Sequence, residues 1–270
     1  MAEFFESSRA EGRTGLALFL NAGDPPLTTL PALLAMLDEE GVDCVELAVP
    51  FPDSPTDGAV VRRSADRALA LGVGLEETLA VIAAVRPSLR RLRIALLADW
   101  SHSLRERPAA DMAAAVAGSG ADALLAHGLP PRVRPGFHEA AHRAGVRVVT
   151  TCYPASPPAV RAEAVAHCTA YLYLVARYGR SGAAPTGGHA GVAPAVAALR
   201  AATDSPIAVG FGVSTAEDVA SVAATGADAA VVGSAGVAVV ETALKEAADP
   251  VDRYRAFVRS LRRPPIPTST

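Results

Sequence analysis

Cysteine is scarce in this sequence. Only Cys44, Cys152 and Cys168 occur among 270 residues, and no two have the C-x-x-C spacing of a redox or zinc motif. Cys44 and Cys152 lie in apolar, strand-like runs, which suits buried reduced thiols and a cytoplasmic protein better than a disulfide framework. No uncharged apolar run is long enough to span a bilayer. The opening stretch, MAEFFESSRAEGRTG, carries acids early and lacks the apolar segment of a secretory signal. A surplus of either charge is missing too: 25 Lys and Arg face 28 Asp and Glu, for a net charge of −3. That balance excludes broad attraction for nucleic acid or an anionic membrane, so a small anionic substrate would need a local, amide-lined pocket. The histidines His138, His142, His167 and His189 show no metal-ligand spacing, and no metal is expected. Ser101, Ser181 and Ser234 have no visible His/Asp partnership for a nucleophilic triad.

What the chain does have is a repeated unit. Short apolar runs of strand length recur at 16–21, 44–49, 93–98, 122–127, 146–151, 170–175, 206–211 and 228–233. They are continuously apolar, as strands covered on both faces should be. Helical patterns lie between them, such as 27–41, where Leu30, Leu33, Leu34 and Leu37 share a face. Several helices end in a glycine just before the next strand, at Gly41, Gly120, Gly145 and Gly226. Eight β-then-α units with right-handed crossovers predict an α/β fold, a (β/α)8 TIM barrel. It is expected to be a single domain over residues 1–262, with a disordered tail at 263–270. An open doubly wound sheet is the alternative, but Asn21-Ala22-Gly23-Asp24-Pro25-Pro26 is a poor match for its glycine fingerprint.

Catalytic groups of such barrels sit at the C-terminal ends of strands and in the following loops. Glu46 lies inside the apolar strand Cys-Val-Glu-Leu-Ala-Val-Pro, where an acid is expensive unless used or paired. Catalysis and an ion pair with an interior Arg or Lys are the two readings. Asp57 follows in the loop PFPDSPTDGAV; it is either functional or a cap for a helix starting near Ala59. An anion site is expected where Gly210-Phe211-Gly212-Val213-Ser214 and Gly233-Ser234-Ala235-Gly236 follow the seventh and eighth strands, the common phosphate corner of the fold. Arg177-Tyr178-Gly179-Arg180-Ser181-Gly182 is long enough to act as a lid. Trp100 and His127 end strands and could line the pocket or belong to loops. Arg86, Arg90, Arg91 and Arg93 read as a solvated helix-to-strand junction.

The run Val45-Glu46-Leu47-Ala48-Val49-Pro50-Phe51-Pro52-Asp53-Ser54-Pro55-Thr56-Asp57-Gly58 resembles the signature of the tryptophan synthase α-subunit family, roughly ELG-[IV]-PFSDP-x-ADGP. The resemblance continues through Ser64–Gly72, Asn21–Pro25, Tyr171-Leu172-Tyr173-Leu174, Gly210–Ser214 and Gly233-Ser234-Ala235, in order, over roughly residues 15 to 245. It implies retro-aldol cleavage of indole-3-glycerol phosphate to indole and glyceraldehyde 3-phosphate, with no cofactor. By the same resemblance Glu46 is the general acid/base, its pKa raised by desolvation, and Asp57 stabilises charge at the indole N–H. Tyr173 places Glu46 or the ring. Gly182, Phe211, Gly212, Gly233 and Ser234 hold the phosphate, and Phe19, Leu97, Leu125 and Phe211 the indole; His127 and Ser181 are further candidates for the substrate pocket.

Departures from that family pattern are concentrated in three loops. Pro52-Asp53-Ser54-Pro55 stands where the family has Ser-Asp-Pro. Ala98-Asp99-Trp100-Ser101 replaces a Tyr/Asn-containing stretch, and Ala126-His127-Gly128-Leu129-Pro130 lacks the family's Asp before the final hydrophobe and proline. The resemblance ties these loops to contact with a β subunit. They therefore favour a stand-alone lyase, open to a ring-substituted indole, over an α subunit coupled to a PLP-dependent β subunit. A β subunit remains a possible partner whose coupling the substitutions put in doubt. A non-catalytic barrel is the third reading, and retention of both Glu46 and Asp57 argues against it.

Overall fold

The computed structural model describes residues 4–176, 192–210 and 212–262. Helix α1 (Glu6–Ala10) precedes β1 (Gly15–Asn21), α2 (Leu30–Glu39) and β2 (Cys44–Ala48). Two helices, α3 (Ala59–Ala70) and α4 (Leu75–Val85), then lead to β3 (Arg93–Asp99). One helical turn at Trp100–Leu104 and α5 (Ala109–Ser119) follow, then β4 (Ala123–His127) and α6 (Arg134–Arg143). The chain continues through β5 (Arg147–Val148), β6 (Thr150–Cys152), α7 (Pro158–His167) and β7 (Leu172–Val175). It ends with α8 (Ala193–Arg200), β8 (Ile207–Gly210), α9 (Ala216–Ala223), β9 (Ala229–Val232), α10 (Ser234–Lys245) and α11 (Pro250–Leu261).

All strand pairs are parallel, in the order β5-β4-β3-β2-β1-β9-β8-β7-β6. The two ends of that order are one strand. Only Val149 separates β5 from β6. Its N–H donates to the Leu124 carbonyl at 3.0 Å on one side, while the Thr150 N–H donates to the Tyr171 carbonyl at 3.4 Å on the other. The apolar run 146–151 is thus the seam that closes a (β/α)8 barrel, and the open-sheet alternative is excluded.

Inside the barrel, residues two apart on each strand form layers. The lower layer is a ring of small side chains, including Ala17, Cys44, Ala95, Ala123, Ala208 and Ala229. Small walls leave space, and Phe4 and Phe5 fill it together with Tyr171, at ring-centroid distances of 5.2 and 5.3 Å. Gly15 is required there, because a Cβ on it would lie 2.7 Å from the Phe5 ring. The outer core runs between strands and helices and buries Leu30, Leu33, Leu34 and Leu37, the face read from the sequence. Gly41, Gly120, Gly145 and Gly226 all take positive φ, between 67° and 84°, where the helices end.

Polar links fix the top loops. Asn21 donates to Ser64 Oγ at 3.0 Å, tying β1 to α3. Arg67 grips Asp24 through two hydrogen bonds of 2.9 and 2.7 Å and also reaches Glu241 on α10, which Arg63 holds as well. At the opposite end of the barrel, Arg86 and Arg93 both pair with Asp122 where helices lead into β3 and β4. Cys44, Cys152 and Cys168 are free and buried. The tail expected at 263–270 lies outside the described residues. Among the described residues no single helix is long and apolar enough to cross a membrane.

Candidate active site

Above the small-residue layer the same strands carry larger or polar groups: Phe19 on β1, Glu46 on β2, Leu97 on β3, Leu125 on β4, Tyr173 on β7 and Val231 on β9. They surround a cavity of about 160 Å³ at the C-terminal mouth of the barrel. Asp57, His127, Gly212, Gly233 and Ser234 complete its rim. Ser181 and Gly182, with the rest of the lid segment, and Phe211 of the loop after β8 lie outside the described residues.

Glu46 is 2% exposed and has no ion pair among the described residues, so none of their Arg or Lys side chains supplies the structural salt-bridge reading. Its partner is the Tyr171 hydroxyl, which donates to Oε1 at 2.6 Å. Burial raises the Glu46 carboxyl to about 7, partly offset by that hydrogen bond. The resemblance gave the placing of Glu46 or the ring to Tyr173; for Glu46 the structure gives it to Tyr171, two residues below on the same face. Tyr173 instead lines the cavity, and burial pushes its hydroxyl pKa upward. Gly210 makes room for it, since a Cβ there would meet Val231 Cβ at 2.7 Å and the Tyr173 hydroxyl at 2.8 Å. The sequence read Gly210 as part of an anion loop, and its steric role was not visible.

Asp57 sits in the β2–α3 loop and does not cap α3, whose N-terminus at Gly58 has no side-chain cap. Burial raises its pKa, while the Ser54 hydroxyl and the nearby His127 and Arg62 pull it down. Two carboxyls, both shifted upward, therefore face one apolar cavity.

Gly233 and Ser234 begin the twelve-residue helix α10, whose first-turn N–H groups have no partner inside the helix. A Cβ on Gly233 would meet nothing within 4 Å, so the approach to that terminus is open. Gly212, with φ 78°, borders the same corner from the β8 side. Such a terminus is suited to an anion. Trp100 does not line the cavity: it begins the turn after β3 and packs against the outer core. His127 does line it.

Sequence reasoning missed Tyr171, Thr151 and Tyr153 as parts of this region. The Tyr-Leu-Tyr-Leu alternation could have shown that Tyr171 shares the inward face with Tyr173. His138 and His167, which the sequence marked only by their lack of metal-ligand spacing, stack with ring centroids 4.1 Å apart, and burial pushes His138 down to about 4.

A carboxyl that holds its proton near neutral pH beside an aromatic-sized apolar wall suits protonation of a carbon atom before its bond is broken. The fold and site define a (β/α)8-barrel carbon–carbon lyase. Comparison with known proteins agrees. The sequence profile of the tryptophan synthase alpha chain matches residues 5–264. The tryptophan synthase alpha chain of Geobacter sulfurreducens is 38% identical over 245 residues, 89% of this chain and 90% of its own. That of Gloeobacter violaceus is 35% identical over 269 residues, 97% of this chain and 94% of its own. A solved structure of Mycobacterium tuberculosis tryptophan synthase matches with a TM-score of 0.82 at 29% identity, covering 96% of this chain and 95% of the other. This chain belongs to the tryptophan synthase alpha chain family.

Proposed function

We propose that the chain is the lyase subunit of a tryptophan synthase, cleaving indole-3-glycerol phosphate to indole and glyceraldehyde 3-phosphate and delivering indole to a PLP-dependent β subunit. The observation that carries this reading is Glu46, buried, with a pKa of about 7, on a cavity that also holds Asp57 and the α10 N-terminus. Protonated Glu46 gives its proton to indole C3, turning the ring into an indolenine whose nitrogen carries the positive charge. Asp57 accepts the ring N–H and stabilises that charge. The carbinol hydroxyl next to the breaking bond then loses its proton to Glu46. The C–C electron pair moves into the ring, restoring indole, and the aldehyde is released. Glu46 regains its proton in the cycle, so no external acid is consumed. Gly212, Gly233 and Ser234 hold the phosphate, joined by Gly182 and Phe211. Phe19, Leu97 and Leu125 hold the ring.

The sequence favoured a stand-alone lyase. The relatives favour the partnered reading, because those compared are alpha chains of tryptophan synthase. The stand-alone reading keeps one supporting observation, the substituted loops at Asp99-Trp100-Ser101 and His127-Gly128. Steady-state indole release, titrated with a family β subunit, separates them. Saturable activation of about tenfold or more, equivalent to ~1.4 kcal/mol of barrier, is expected for the partnered enzyme. A rate that changes by less than about threefold would return the stand-alone reading.

A further inference from the structure

At the mouth of β3 and β4 a polar device stands in the ring wall, and the reaction above does not use it. Asp99 and His127 are register partners at the ends of these strands. His127 Nδ1 donates to Asp99 Oδ2 at 3.0 Å. The other carboxylate oxygen accepts from His102 Nδ1 at 2.8 Å, His102 N–H at 3.1 Å and Ser101 N–H at 2.9 Å. Asp99 is 6% exposed. Burial alone would raise its pKa, but the hydrogen bonds from His102 and His127 outweigh it and hold the carboxyl below the ordinary range. Phe51 stacks on both imidazoles, at 5.2 and 6.2 Å between ring centroids. Gly128 belongs to the same device. It has φ 67°, and a Cβ there would lie 3.3 Å from Asp99 Oδ2, so the aspartate that the family pattern has at this point would crowd a second carboxylate against the first.

The consequence is a fixed tautomer. A carboxylate can only accept, so His127 Nδ1 carries the proton, and in the neutral ring Nε2 is a hydrogen-bond acceptor. Nε2 has no hydrogen-bond partner among the described residues. The ring itself lines the cavity beside Leu97 and Leu125. In the strand order, β3 and β4 lie across the barrel from β8 and β9, which carry the anion corner. A substrate held by its phosphate at Gly233 and Ser234, and reacting at Glu46 on β2, therefore extends its far end toward His127. For an indole that far end is the six-membered ring, which has no polar atom of its own.

We infer that the Asp99–His127 pair reads a hydroxyl group on the six-membered ring, so that the favoured substrate is a ring-hydroxylated indole-3-glycerol phosphate. This rests on the lyase reading above. His127 is a specificity residue and Asp99 a positioning residue that sets its tautomer. Sites built to bond a substrate hydroxyl can discriminate by several orders of magnitude when dry. The His127 side chain is 35% exposed, so water can take the place of the missing hydroxyl, and a preference of about tenfold is expected.

The test is kcat/KM of the purified chain for indole-3-glycerol phosphate and for its 4-, 5-, 6- and 7-hydroxy analogues, with the same series for His127→Leu and Asp99→Asn. The expected result is that at least one analogue exceeds the unsubstituted compound by about tenfold in the wild type. The ratio should fall to near one in His127→Leu and drop partway in Asp99→Asn, whose amide no longer dictates the tautomer. The unsubstituted compound outperforming every analogue in the wild type would overturn the inference, whether or not the variants fold. So would a preference that survives His127→Leu. Cleavage of none of the five compounds, with or without a β subunit, would overturn the lyase reading instead.

Discussion

The lower and upper layers of the barrel lumen are built by the same strands two residues apart, and their chemistry is opposite. Below, Ala17, Cys44 and Ala95 leave a space that Phe4, Phe5 and Tyr171 fill without a gap for substrate. Above, Phe19, Glu46 and Leu97 stand on the same strands and face a cavity. One layer trades side-chain size for an aromatic plug and gains stability. The other keeps a buried acid with no cation partner among the described residues, which costs stability and creates reactivity. Tyr171 is the link, part of the plug through its ring and of the site through its hydroxyl.

This contrast can be broken from either side. The largest stability effect is expected from Phe5→Ala, which empties the plug and should lower unfolding free energy by ~3–5 kcal/mol, read by denaturant melts. A loss below about 1 kcal/mol would mean that the lower layer is not a packed plug. Next comes Glu46→Gln, with the opposite sign. Its folded pKa, about 7, lies above the ordinary 4.5, so the native state binds the extra proton between these values, and wild-type stability falls as pH rises from about 4.5 to 7. The Gln variant lacks that loss. It should therefore gain on the wild type by up to ~3 kcal/mol in melts at pH 8 relative to pH 4.5.

The network outside the lumen is a smaller lever. Hydrogen bonding from Arg63 heads the causes that hold the Glu241 carboxyl down at about 2. A depressed carboxyl gives stability that is complete above its unfolded pKa and is lost as pH falls through the folded value. Glu241→Gln should cost ~1–3 kcal/mol at pH 7 and much less near pH 2, again by melts. The finest probe is Tyr171→Phe. Removing the donor that lowers the Glu46 pKa should move the alkaline limb of kcat/KM upward from near 7 by about one unit. An unmoved limb would show that Tyr171 only packs.

How far the sequence carried this account depended on whether the cause was local. Uninterrupted apolar runs made the strands legible, and Glu46 stood out because an acid in such a run needs a reason. The seam at Val149 was not legible, because a run such as VRVVTT looks alike whether its partner changes or not. Tyr171 was missed as the partner of Glu46 because the two are 125 residues apart. Asp99 was visible only as a departure from a family pattern, whereas His127 also stood out as a strand-end candidate for the pocket. Their pairing is a contact between strand ends, and the role of Gly128 in it depends on a 3.3 Å approach that no spacing rule encodes.

The most direct test of the central claim, that Glu46 shuttles the proton in C–C cleavage, is indole release from indole-3-glycerol phosphate by the wild type and by folded Glu46→Gln. The account predicts that indole and glyceraldehyde 3-phosphate form in equal amounts with the wild type. With the variant the rate should drop by about a hundredfold or more, the scale expected for removing a general acid/base. Near-normal turnover by a folded Glu46→Gln protein would contradict it.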